Sequence, residues 1–189
     1  LGFAGTLAAS DYQEINYVLL PQLILRNQLE LILQSDRQQL NPDEQREVER
    51  IFELLLRFEP IDIHSAELML PRIKQLGMTQ SADKWLNRIV DAGMEHLRQF
   101  PLDATTANNV AWCAVRNHSR LDDALEMSRH AVSVEPNSAV YRDTLAEILA
   151  QQGEIDQALL LEQTSLLDDP GQWPLHLQID RFKSMKEDG

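Results

Sequence analysis

The residues of this chain whose types could do chemistry are five histidines, one cysteine and two Asp-Asp pairs, and their spacing argues against most of that chemistry. His64, His96, His118, His130 and His176 are scattered. His64 and Glu67 stand three apart, on one face of a helix, where they could offer two metal ligands. Their order is reversed from the carboxylate–histidine pair of di-iron bundles, however, and no second pair completes a site. A solvated polar face is the plainer account. Cys113 with His118 or His130 would suggest a thiol nucleophile, yet beside Ala111, Ala114 and Val115 in mid-helix it reads as a packed, inert thiol. Asp122-Asp123 opens a helix, where carboxylates complement exposed backbone donors, and Asp168-Asp169 closes a helical stretch before Pro170. HExxH, a glycine-rich phosphate loop, GxSxG and CxxC do not occur. The expectation is a protein that is not an enzyme and uses no metal or cofactor.

Composition narrows the class further. With 189 residues, 43% hydrophobic and 25% charged, the chain can bury a substantial core as one or two domains. Seventeen Lys and Arg against thirty Asp and Glu give a net charge of −13, a field that repels nucleic acid and anionic membrane. A lone Cys113 allows neither an internal disulfide nor a cysteine-based zinc cluster. It fits a reducing compartment, which favours the cytoplasm and leaves an envelope-associated location open. The chain begins at Leu1 with a short, small and apolar stretch, as a piece of a longer or processed protein would. That stretch is too short to span a bilayer and lacks the basic front end of a signal peptide.

The elements that must position any site are helices. Nearly every segment longer than ten residues has helical spacing of apolar residues, and none alternates as a half-buried strand does. A first helix is expected from about Asp11 to Leu40, kinked or split by Pro21. Asn41-Pro42-Asp43-Glu44 carries a cap, a proline harmless in the first turn and two favourable carboxylates, opening a helix to about Phe58. Glu59-Pro60 stops it, and Asp62 caps a successor from Ile63 to Leu76, with a bend expected at Pro71. Gly77 closes that helix. Thr79 opens the next, which carries Trp85, Leu86, Ile89, Val90, Met94 and Leu97 to about Phe100. The dense apolar residues between Tyr12 and Leu33 must be covered by later helices, by another copy of the chain or by an upstream region.

Beyond Pro101 the sequence repeats. Pro136 and Pro170 stand 34 residues apart, as do Ala124 and Ala158, and Pro101 stands 35 before Pro136, the extra residue falling in the turn around Asn117-His118-Ser119-Arg120. In this frame Leu121 pairs with Ile155, Leu125 with Leu159 and Val132 with Leu166. Ala111 and Ala146, Ala124 and Ala158, and Ala131 and Ser165 occupy three small positions, and Gly153 sits in a turn. Small side chains let two helix backbones approach closely. Period and small positions together resemble the tetratricopeptide repeat (TPR) family over about residues 104–170, with Ala114 and Leu149 standing where the family favours an aromatic.

The resemblance implies an all-α, TPR-like helical repeat of stacked antiparallel helix pairs: an irregular helical region over 1–100, with a degenerate unit at 63–100, then two TPR units and a C-terminal capping helix over 101–189. It also implies a concave groove that holds a peptide or partner helix. The groove is lined by Asn108, Asn109, Trp112 and Arg116 from one unit and by Asp143, Thr144, Glu147 and Gln151 from the next. The lysines and arginine with which chaperone-binding TPR domains clamp a terminal carboxylate are missing. Acids stand there instead, so the expected partner is a protein or peptide with a basic or apolar segment, and Trp112 is either its anchor or a residue packed on a neighbouring helix. Asp143 could instead pair with Arg116. The rival reading is a C-terminal oligomerisation or assembly domain of a larger, envelope-associated protein, working by self-association. A pocket between the N-terminal helices, serving an enzyme or a ligand-binding protein, is the third.

Overall fold

A computed structural model describes residues 20–34, 38–168 and 173–187, all of the regular structure in them helical. The chain divides into two compact units, Leu1–Ala82 and Asp83–Gly189.

In the first unit, helix α1 covers residues 20–33, and the expected stretch before Leu20 lies outside the described residues. Leu25, Leu29 and Leu33 bury one face of α1, while Leu20, Leu23, Ile24 and Leu31 remain exposed on the other. Helix α2 (Pro42–Phe58) begins as the sequence predicts. The Asn41 side chain accepts from the Asp43 and Glu44 amides at 3.0 and 2.9 Å, and Glu44 reaches back to the Asn41 amide. Val48, Ile51, Phe52, Leu55 and Leu56 form its buried stripe. The single helix expected over Ile63–Leu76 is two, α3 (Ile63–Leu68) and α4 (Leu70–Gln75), because Pro71 cannot donate and the chain breaks at Met69 just before it. Asp62 caps α3 through the Ser65 amide at 3.0 Å and also receives Arg26 of α1 at 2.9 Å, so one buried carboxylate ties two helices. Gly77, at φ +92°, ends this run in the left-handed region where an L side chain is strained.

Helix α5 (Thr79–Gln99) contains the division between the units, so most of it lies with the repeats rather than with the N-terminal region. Trp85, Leu86, Ile89 and Val90 are buried as their spacing predicts. Two helix pairs follow, α6 (Ala104–Arg116) with α7 (Leu121–Val134) and α8 (Ala139–Gln151) with α9 (Ile155–Asp168), then α10 (Trp173–Glu187). Each packs on the next, and α6 also packs on α8. The first helices start 35 residues apart and the second helices 34 apart. The extra residue is therefore in the first turn, where His118 and Arg120 take positive φ of 50° and 56°; the second turn uses Gly153 at φ +87°. All six small positions are fully buried: Ala111, Ala124, Ala131, Ala146, Ala158 and Ser165. Phe182 of α10 enters the core formed by Leu145, Ala146, Leu149, Ala150 and Ala158, covering the open end of the last pair.

Candidate functional site

Helices α6 and α8 are equivalent elements of successive pairs, and their packing brings side chains 35 residues apart onto one face. Each start is secured locally. Asp103 caps α6 by accepting from the Thr106 amide at 3.0 Å, and Ser138 caps α8 from the Tyr141 amide at 3.4 Å. Between them opens a cavity of about 380 Å³, lined from α6 by Trp112 and Arg116 and from α8 by Asp143, Glu147 and Gln151. His118 of the strained turn lines it too, and so do Gln178 and Arg181 of α10. Five of the eight residues assigned from the sequence are thus brought together.

The other three are elsewhere. Asn108 and Thr144 are buried, and Thr144 turns its hydroxyl back to the Val140 carbonyl at 3.2 Å. Asn109 is half-buried, 3.4 Å from the Asn108 amide, and does not line the cavity. Residues adjacent in sequence on a helix point about 100° apart, so a phrase such as Asn108-Asn109 cannot place both side chains on one narrow face.

Glu147 is not an open acid of the groove. It accepts from Gln151 Nε2 at 3.0 Å, from Gln178 Nε2 at 2.8 Å and from the Arg181 guanidinium. Gln151 in turn accepts at Oε1 from His118 Nδ1 at 3.0 Å and shares its amide with the Val115 carbonyl at 3.3 Å. Glu147 is therefore the point at which α10 is fastened to α8. Nor does Asp143 pair with Arg116, whose guanidinium lies over the Trp112 ring, 5.7 Å from its centroid.

Asp143 meets another acid instead. Glu162 of α9 is fully buried, neither of its oxygens has a hydrogen-bond donor among the described residues, and its neighbour is the Asp143 carboxyl. Two acceptors can share such a place only if one carries a proton. Burial, the hydrogen bond and charge of Asp143, and the charge of Glu147 push Glu162 up to about 9, with Arg181 opposing. Burial likewise raises Asp143, against the Glu162 hydrogen bond, while Glu147 adds to the rise and Arg181 opposes it. Glu162 is thus the member of the pair driven toward holding a proton.

Glu162, Gln178, Arg181 and His118 were not assigned to the site from sequence. A signal for Glu162 existed: it falls four residues after Ala158 and three before Ser165, on the helix face already given to the crossing, where an acid has no water. Nothing in the sequence marks Arg181, because which groove receives the capping helix depends on how Phe182 docks.

No group of His, Cys, Asp and Glu among the described residues is arranged to hold a metal ion, and no described helix is long and apolar enough to cross a membrane. No protein-family model and no curated protein sequence matches the chain. Among solved structures it is similar to a thermophilic TPR protein of Thermus thermophilus, at 17% identity and a TM-score of 0.29, over 85% of this chain and 98% of that one. So loose a superposition leaves the fold to stand on the chain's own helix pairs. The chain is of the all-α class of stacked helical repeats.

Proposed function

We propose that the protein is a non-catalytic scaffold of the TPR kind, which takes a basic or apolar segment of a partner protein on the face shared by α6 and α8. The observation that carries this reading is the convergence of Trp112, Arg116, Asp143, Glu147 and Gln151 on one cavity. Preformed helices present that cavity with little ordering cost, so affinity rests on a few anchors and on charge complementarity. Trp112 is half-buried and lines the cavity, and Asp143 is an acid there with no bonded cation among the described residues, the Arg181 guanidinium being taken by Glu147. The test is a titration of basic and apolar dodecapeptides followed by anisotropy. Trp112→Ala should weaken the best binder by about tenfold or more, as hot-spot aromatics do, with melting little changed. Equal binding by wild type and variant would refute the reading.

A second reading has its own observation in the first unit. Leu20, Leu23, Ile24 and Leu31 stand between 48% and 71% exposed on α1, a stripe at helical spacing suited to self-association. Light scattering over a range of concentrations tests it: a mass that rises in the wild type and stays monomeric in Leu31→Glu supports assembly, and a constant monomer excludes it.

A further inference from the structure

We propose that the Asp143–Glu162 carboxyl pair seats an arginine side chain of the protein partner, and that seating it drives off the proton the pair holds. This deepens the groove reading above and rests on it.

The charges around the pair are uneven. From α8 comes Glu147, from α10 Arg181, from α6 Arg116, and from the turn after α6 His118. Arg181, Gln178 and Gln151 are all committed to Glu147, and Arg116 lies over Trp112. Arg142, also on α8, gives its guanidinium to Ser165 Oγ at 2.9 Å and the Pro136 carbonyl at 3.2 Å. Three donors answer Glu147, whereas among the described residues Asp143 and Glu162 are hydrogen-bonded only to each other and feel Arg181 through its charge alone. Asp143 lines the cavity, while Glu162 is fully buried and does not, so a cation entering the cavity meets the pair at Asp143.

An arginine fits this place better than a lysine. Its planar fork carries five donors for a pair of carboxyls that no other described side chain donates to, and it stays charged at every accessible pH. In balance, the bound guanidinium keeps its charge, the O–H bond of Glu162 breaks, and the proton leaves to the buffer. An opposite charge at about 4–6 Å lowers a carboxyl by about 1–3 units. That is enough to bring a group standing at about 9 close to neutrality, so release follows binding at mildly alkaline pH.

The test is calorimetric titration of the full chain with acetyl-hexa-arginine amide at about pH 8, in two buffers of different ionisation enthalpy. The wild type should release close to one proton per peptide, and its affinity should rise by about tenfold between about pH 6.5 and pH 8.5. Glu162→Gln, whose amide donates permanently to Asp143, should bind without release and with a flat profile. Asp143→Asn should lose about tenfold in affinity with no loss of melting temperature, which general attraction to an acidic protein would not. Repeating the series in His118→Gln subtracts the cavity's histidine. Binding without proton release, or equal release from Glu162→Gln, overturns the inference and leaves the groove reading standing. If hexa-arginine fails while an apolar dodecapeptide still binds through Trp112, only the arginine seat falls; failure of both probes ends both.

Discussion

Gly93 of α5 and Val110 of α6 touch so closely that a Cβ built on the glycine would stand 2.8 Å from one Val110 methyl and 3.0 Å from the other. Val110 is fully buried, and a β-branched side chain in a helix has one strongly preferred rotamer, so its methyls have nowhere to turn. Gly93→Ala would gain up to about 1 kcal/mol of helix propensity but would overpack the crossing by about 1–3 kcal/mol. Net destabilisation of about 1 kcal/mol is expected from urea unfolding. In a double-mutant cycle with Val110→Ala the two costs should fall short of additivity, since the second change makes room for the first.

The buried acid pair gives stability a slope on the alkaline side. Glu162 holds its proton up to about 9 in the folded chain, whereas an exposed glutamate loses it near 4.5. Between these values the folded state binds more protons than the unfolded one, so stability falls as pH rises. Melting temperature should therefore decline from about pH 5 to pH 9 more steeply in the wild type than in Glu162→Gln. At neutral pH the variant should be the more stable, because its amide donates to Asp143 without the cost of keeping a carboxyl protonated above its ordinary range.

At the other end of α6 the sign reverses. Asp103 caps the helix through the Thr106 amide and hydroxyl and receives His96 Nε2 at 2.8 Å, and these hydrogen bonds hold its carboxyl below the usual range. Its contribution is present above the ordinary aspartate range and is lost as pH falls through the depressed value. Asp103→Ala should cost about 1–2 kcal/mol at neutral pH, and Asp103→Asn, which keeps a capping oxygen, much less. Chemical unfolding at neutral and strongly acidic pH should show the Ala cost shrinking in acid.

The C-terminal helix is held by burial more than by its ion pair. Phe182 is fully buried, while the Arg181 side chain is 45% exposed where it meets Glu147. Phe182→Ala should cost about 3–5 kcal/mol and open residues 173–187 to hydrogen exchange. Arg181→Ala should cost about 1 kcal/mol or less, and its helix should stay protected.

Local signals needed no partner from elsewhere in the chain to be read correctly. The caps at Asn41 and Asp62, the stops at Gly77 and Gly153, the 34-residue period and the buried small positions each follow from a few neighbouring residues whose backbone groups or periodicity permit one arrangement. Which side chains share a cavity is another matter, because it depends on helix rotation and on contacts between residues far apart in the chain. Packing alone decided that Asn108 and Thr144 turn inward, that Glu147 is taken up by Gln178 and Arg181 of α10, and that Asp143 faces an acid. An isolated helix leaves a glutamate in water and ionised. Glu162 became a proton-holding group only when α8 and α9 closed over it and removed the solvent that would have stabilised its charge.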